Sequence, residues 1–321
     1  MLITDEWRGY RGSYENMVFD DCSSKPAGSD VSITFMEKSK REGKPFFINL
    51  WMHEPHTPFH TVPKYRWRFR DLEEADNIYA SVLSHADDRI GEVLDTLDRL
   101  DLTQNTLVIF SSDNGPARVA APTELTLMYD TATGAGYGIA ASKGITGGRR
   151  GYKAALFEGG IGVPFIARWP GKIAAGKVDN TSLISAVDLL PTFCEVAGVD
   201  LPSSYSPDGV SLVPTLLGKG KTKRDKPLFW KMDSPWPAPK NRPDHWVSYA
   251  IVDQTWKLVA NEDASYVELY DIAADPYERS DLRKERPEVV QQLKMKLAAW
   301  KATLPVKPDA RLFSVERSKP D

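Results

Sequence analysis

The chain has 321 residues, 41% of them hydrophobic, and 41 basic against 44 acidic side chains give a formal net charge of -3. That length can bury a sizeable core and leaves room for one large domain with a smaller appendage. The near-neutral balance excludes an electrostatic case for nucleic acid or an anionic membrane surface. Apolar runs such as residues 46–52 are far shorter than a bilayer requires, and Asp5, Glu6 and Arg8 interrupt any secretory signal core at the start. Cys22 and Cys194 make no disulfide framework, so cysteine usage leaves the compartment open.

In chain order, residues 1–29 are polar and aromatic without a period and read as loop. Asp30 can cap a short helix to about Arg41, with Gly43 ending it. Residues 45–52 (Pro-Phe-Phe-Ile-Asn-Leu-Trp-Met) form an apolar run of strand length, which stops at His53-Glu54-Pro55-His56-Thr57-Pro58. Ile78, Val82, Ala86, Ile90, Val93, Leu94, Leu97 and Leu100 then recur at three and four residues, the mark of an amphipathic helix. A second strand, Thr106-Leu107-Val108-Ile109-Phe110, ends on Ser111-Ser112-Asp113-Asn114-Gly115. Strand, helix, strand predicts a right-handed crossover, with the two strands parallel and both polar clusters on one sheet edge, where ligands of open α/β sheets gather.

Residues 116–151 are rich in Gly, Ala and Thr and lack a sustained period, which reads as a long loop, either functional or disordered. It runs into Arg149-Arg150-Gly151-Tyr152-Lys153 and Glu158-Gly159-Gly160, followed by a strand at residues 163–169. Asp188 can cap a helix with Pro191 in its first turn and Gly198 just past its end. Residues 218–224 read as a linker. Beyond them, aromatic runs at 228–231, 246–252, 256–260 and 267–272 predict a small antiparallel sheet. A last helix at 287–303 carries Val290, Leu293, Leu297 and Trp300 on one face.

Asp113 and Asn114 offer oxygens alone, which suits a hard cation better than zinc, although Asp-Asn-Gly by itself is also a common turn. Taken together, Pro55-His56-Thr57-Pro58, Ser112-Asp113-Asn114-Gly115, Lys153 with Glu158-Gly159-Gly160 and Val163-Pro164-Phe165 resemble the sulfatases of the alkaline phosphatase superfamily. Trp169-Pro170-Gly171-Lys172, Trp256-Lys257-Leu258, Glu268-Leu269-Tyr270-Asp271 and Asp275-Pro276 extend the resemblance from about Asp30 to the end. Two-metal members of that superfamily carry a histidine where Asn114 stands, so its amide oxygen favours the one-cation sulfatase branch over phosphate or phosphonate ester hydrolases.

The resemblance implies an alkaline-phosphatase-like α/β sandwich with a mostly parallel central sheet, a small antiparallel C-terminal sheet and a terminal helix. The core would span residues 1–221 and the C-terminal subdomain residues 222–321. It implies hydrolysis of a sulfate ester, with a sulfated small molecule or glycan as the partner, and neither nucleic acid nor membrane. Asp113 and Asn114 would be metal ligands, with Ca²⁺ ahead of Mg²⁺. Lys153 would hold a sulfate oxygen, His56 would protonate the leaving group, and His53 would neighbour the substrate. The family nucleophile is a formylglycine made from Cys or Ser in a Cys/Ser-x-Pro-x-Arg motif, which is not found here. Cys22-Ser23-Ser24-Lys25-Pro26 lacks the Pro at the third place and the Arg at the fifth, and Asp20-Asp21-Cys22 reads as a coincidental look-alike. Gly162 stands where the family commonly has Arg. A further N-terminal segment or a second chain is therefore expected to complete the site, with the chain inactive alone, and the alternatives are a sulfated-glycan-binding relative without turnover or a phosphate or phosphonate ester hydrolase of the same superfamily. The family implies a periplasmic or extracellular protein, although this sequence carries no address.

Overall fold

The structure, a computed structural model, describes residues 28–117, 125–130, 134–232 and 246–305. The loop assigned to residues 1–29 and the look-alike at Asp20-Asp21-Cys22 therefore lie almost wholly outside the described residues. Helix α1 (Gly28–Glu42) carries Asp30 in its first turn, and Gly43 leaves it at φ +65°, a left-handed turn that glycine takes without penalty. After the short α2 (Pro63–Arg68), α3 (Glu74–Arg99) follows the apolar period and buries Ile78, Val82, Ala86 and Leu97. Ile78, Val82 and Leu97 each contribute about 1.5–3 kcal/mol on leaving water and Ala86 less, which holds a 26-residue helix whose outer face is charged.

Strand β1 (Val108–Ser111) pairs antiparallel with β4 (Phe165–Arg168), in register from Val108 opposite Arg168 to Ser111 opposite Phe165. Between them lie a hairpin of β2 (Leu127–Asp130) and β3 (Gly134–Tyr137) and the one-turn helix α4 (Glu158–Ile161). The predicted structureless excursion over 116–151 is thus partly a hairpin. Residues 45–52 are extended, and Phe46, Ile48 and Leu50 are more buried than Phe47, Asn49 and Trp51, yet they join no ladder among the described residues. The expected parallel pairing of that segment with β1 is accordingly not observed there, and every described ladder is antiparallel. The residue pattern supplied the alternation of a strand but not the lateral partner that makes one.

Helix α5 (Leu189–Ala197) ends at Gly198 as predicted, with φ +66°. Asp188 precedes it but does not cap it with its side chain. Its buried carboxylate instead accepts the N–H groups of Ser185 (2.8 Å) and Val210 (2.9 Å) and pairs with Arg224. The predicted linker at 218–224 is therefore anchored at its end, because Arg224 reaches back into the core and Thr222 donates to the Ser211 carbonyl at 2.9 Å. A one-turn helix, α6 (Val213–Leu216), lies between.

The remaining chain forms a four-stranded antiparallel meander, β5 (Leu228–Lys231), β6 (Tyr249–Asp253), β7 (Trp256–Ala260) and β8 (Val267–Asp271), followed by α7 (Pro287–Lys301). The period of two sends Tyr249, Ile251, Leu258, Ala260 and Leu269 onto α7, where Val290, Leu293 and Leu297 meet them. Trp300 stacks on Phe229 with ring centroids 4.8 Å apart. The alternate residues, Ala250, Val259 and Tyr270, pack on Leu156 and Phe157 at the start of α4. Both faces of this sheet are covered, and the second cover is the segment that carries Lys153.

Candidate functional site

Beyond β1 the chain turns sharply. The Asp113 side chain is exposed, and its Oδ1 accepts the Asn114 N–H at 2.9 Å, while Ser112 donates its hydroxyl to the Asn114 carbonyl at 3.1 Å. Asn114 donates its side-chain amide to the Gly115 carbonyl at 3.0 Å. Gly115 then donates to the Gly160 carbonyl at 2.8 Å. The approach is close enough that a Cβ on Gly115 would fall 1.9 Å from the Gly159 carbonyl oxygen, so only glycine fits. One residue on, the Pro116 carbonyl accepts the Lys153 N–H at 2.9 Å.

Residues 149–160 fold back on themselves. Gly159 donates to the Arg150 carbonyl at 2.6 Å and Ala155 to that of Tyr152 at 2.9 Å, with Gly151 at φ +82° and Ala154 at φ +67° making the reversal. Lys153 sits in this turn, partly buried. The Arg150 guanidinium lies 3.8 Å from the Phe157 ring centre and donates to Glu268 (2.7 Å) and the Tyr270 hydroxyl (2.6 Å). Burial, with Glu268 beside it, pushes the Tyr270 hydroxyl well above the usual phenol range, so it stays protonated. At the start of α4 the Glu158 carboxylate accepts from Lys257 at 2.7 Å, and its own N–H donates to Glu278 at 2.7 Å. Lys257 and Glu278 are both fully buried, 2.9 Å apart. Burial drives the Glu278 carboxyl upward and Lys257 opposes that shift.

The histidines form a second group. His56 donates its backbone N–H to the His53 carbonyl at 2.8 Å, and the two rings lie 5.9 Å apart. His56 Nδ1 is 2.6 Å from the Thr57 carbonyl, and a carbonyl can only accept, so Nδ1 carries hydrogen and Nε2 is the outward nitrogen. His53 Nε2 likewise donates to the Pro58 carbonyl at 3.1 Å. Burial holds the His53 imidazole below its ordinary value, against the opposing pull of that carbonyl. The buried Glu54 carboxylate reaches His85 on α3 at 3.2 Å, fixing the turn to the long helix. Phe59 anchors the other end against Tyr79, at 5.8 Å between ring centres.

The main chain thus brings Asp113 and Asn114 together with Lys153. His53 and His56 meet each other in a neighbouring turn, and the described connection between the groups runs through Tyr79. Its hydroxyl lies 2.9 Å from where a Cβ on Gly144 would stand, and Pro116 lies 2.5 Å from the same point. In donor type Asp113 and Asn114 fit a hard cation, since both offer oxygens. Among the described residues no group of three or more His, Cys, Asp or Glu converges as a metal site. Sequence reasoning missed the roles of Glu54, His85, Arg150, Lys257, Glu268 and Glu278. The one available signal was Lys257, a lysine at an inward position of a strand otherwise reading Trp-x-Leu-Val-Ala.

A family profile described as Sulfatase matches residues 13–199, and one for the C-terminal region of N-sulphoglucosamine sulphohydrolase matches residues 149–303. An N-acetylgalactosamine-6-O-sulfatase of Bacteroides thetaiotaomicron is 30% identical over 279 residues, covering 81% of this chain and 47% of that protein. The mouse N-acetylgalactosamine-6-sulfatase is 32% identical over 203 residues, 62% of this chain and 33% of that one. A solved Bacteroides thetaiotaomicron sulfatase, described with the metabolism of glycosaminoglycans, superposes with a TM-score of 0.62 at 28% identity, over 85% of this chain and 53% of its own. The structure of Ps i-CgsB with k-i-k-neocarrahexaose superposes at 0.68 and 23% identity, over 85% of this chain and 53% of that one, which speaks for the fold alone. The fold is the α/β architecture of these neighbours, with a small antiparallel sheet and a C-terminal helix. The chain spans about half the length of the first curated relatives it matches. It belongs to the sulfatase family.

Proposed function

We propose that these residues form the late half of a one-cation site that hydrolyses a sulfate ester on a carbohydrate. The observation that supports this reading is the pair of main-chain bonds, Gly115 to Gly160 and Lys153 to Pro116, which tie the turn carrying Asp113 and Asn114 to the turn carrying Lys153. Asp113 and Asn114 would hold the cation, with Ca²⁺ ahead of Mg²⁺. When bound, it would supply positive charge to polarise a sulfate oxygen. Lys153 binds a further sulfate oxygen and steadies the charge that builds there as the S–O bond breaks. His56, with Nδ1 tied to the Thr57 carbonyl, delivers a proton from Nε2 to the departing alcohol oxygen when it is an imidazolium. His53 orients that turn. The nucleophile has no counterpart in these 321 residues and is assigned to a separate segment or chain. Support for a sulfated sugar comes from the N-acetylgalactosamine sulfatase activities for which the Bacteroides and mouse relatives are named.

The test is calorimetric titration with N-acetylgalactosamine 6-sulfate, its unsulfated parent and the 6-phosphate, with and without Ca²⁺. The sulfated sugar should bind best, and Lys153→Ala should weaken it by roughly ten- to a hundred-fold, the scale of one charge-assisted contact. Equal affinity for the unsulfated sugar would sink the reading. Preference for the 6-phosphate would move the site to phosphate esters. Cation-independent binding without turnover, even with the nucleophile supplied, would favour a glycan-binding relative.

A further inference from the structure

We propose that the C-terminal sheet is the positioning platform of the Lys153 turn, with Lys257 and Glu278 as its positioning residues. The proposal rests on the sulfate-site reading for its purpose, but its geometry stands independently. Lys257 projects from β7 onto the face shared by Ala250, Val259 and Tyr270, where an apolar side chain would pack on Leu156 and Phe157 without a desolvation cost. A lysine there, 0% exposed, must be matched by carboxylates, and it meets two.

Those carboxylates grip one residue at both ends. Lys257 holds the Glu158 side chain at 2.7 Å, and Glu278 holds the Glu158 main-chain N–H at 2.7 Å. Glu278 does so from a left-handed backbone, φ +54°, which a non-glycine residue keeps only where its surroundings fix it. Glu158 leads into Gly159 and Gly160, and these pass the restraint on in two directions. Gly160 receives the Gly115 N–H and so locates Asp113 and Asn114, whereas Gly159 closes the turn onto Arg150 and so locates Lys153. A Cβ on Gly159 would lie 2.3 Å from the Gly151 carbonyl oxygen, so the turn has no slack to absorb a shift of Glu158. Arg150, held by Glu268 and Tyr270 on the same sheet face, pins the other limb. The sheet therefore sets where Lys153 stands relative to the oxygens of Asp113 and Asn114, and Lys257 and Glu278 act on the ligand only through that placement.

The experiment is amide hydrogen exchange on the full chain together with binding of N-acetylgalactosamine 6-sulfate. The double variant Lys257→Met/Glu278→Leu removes the facing buried charges together and leaves a packable apolar face, so the sheet is expected to fold. The amides of Gly115, Lys153, Gly159 and Gly160 should exchange at least about tenfold faster, while those of β6, β7 and β8 keep their protection. Sugar affinity should fall with them. Glu278→Gln, which keeps an oxygen for the Glu158 N–H, should retain most of the protection. Unchanged exchange in the turn would overturn the proposal, and so would acceleration spread equally over β6 to β8, the mark of a merely structural pair. Lys153→Ala separates the two readings. If it leaves sugar affinity unchanged the sulfate site fails, and the exchange data alone still decide the platform.

Discussion

The β1–β4 pair and the β5–β8 meander are built from similar residues and are housed very differently. In the β5–β8 meander every strand from β6 to β8 is buried along most of its length, with α7 on one face and the Lys153 segment on the other. In the β1–β4 pair the directly opposed Phe110 and Ile166 are 45% and 60% exposed, and Trp51 in the unpaired extended segment is 68% exposed. Cross-strand apolar pairs stabilise a sheet only when something covers them. The meander therefore brings its own core, and the ladder that ends at Asp113 borrows order through Gly115 from a turn the meander holds.

Truncation should separate the two regions most widely. Leu258→Ala, deep between β7 and α7, is expected to cost about 2–5 kcal/mol in urea unfolding, whereas Ile166→Ala on β4 should stay within about 0.5 kcal/mol. Equal costs for the two would mean that the β1–β4 face is covered in solution and would end the comparison. Next in size is Gly115→Ala, which puts a Cβ against the Gly159 carbonyl at one of the two main-chain bonds, the other being Lys153 to Pro116, that join β1's turn to the segment the meander holds. Forcing that seam apart should cost about 1–3 kcal/mol and weaken sulfated-sugar binding, without lowering exchange protection in β7. Tyr270→Phe is smaller. It deletes the hydroxyl shared by Arg150 and Glu268 and should cost about 1–2 kcal/mol by thermal unfolding, with Arg150 the more mobile for it. No loss at all would show that the Arg150–Glu268 pair holds the turn unaided.

The same contrast explains what could be read in advance. The helices α3 and α7, the strands β1 and β4 and the strands β5, β7 and β8 were legible because a helical period and a short apolar or aromatic run are local properties of the chain. Asp113, Asn114 and Lys153 were legible as residue types at informative places, and the backbone bonds through Gly115 and Pro116 give them a common location. The β3 strand was illegible because Gly134-Ala135-Gly136 carries no β-branched or aromatic signal. Residues 45–52 misled in the opposite sense, since strand composition does not specify a lateral partner. Glu158, Lys257 and Glu278 come from three distant stretches, and no local pattern ties them. The pairing of Asp188 with Arg224 was hidden for the same reason, behind a run of Gly, Lys and Arg that reads as linker.

The smallest expected effect concerns pH and the histidine turn. Burial lowers the His53 imidazole, the Pro58 carbonyl and Glu54 pull it upward, and His60 and His56 push it down again. The folded state therefore binds a proton at His53 less readily than the unfolded chain does. Stability rises with pH wherever the unfolded chain holds more protons, so the His53 contribution is complete above the ordinary imidazole value of about 6.5 and is lost as pH falls through the lower folded value. Thermal unfolding between about pH 7.5 and 5 should show a decline at the acid end that His53→Gln flattens, by less than about 1 kcal/mol. Because His53 lies apart from the β5–β8 core, hydrogen exchange in β6 to β8 should not follow the same curve. If His53→Gln leaves the acid decline intact, that decline belongs to the carboxylates, and the turn that carries His56 is held by Glu54 and His85 without help from a neutral His53.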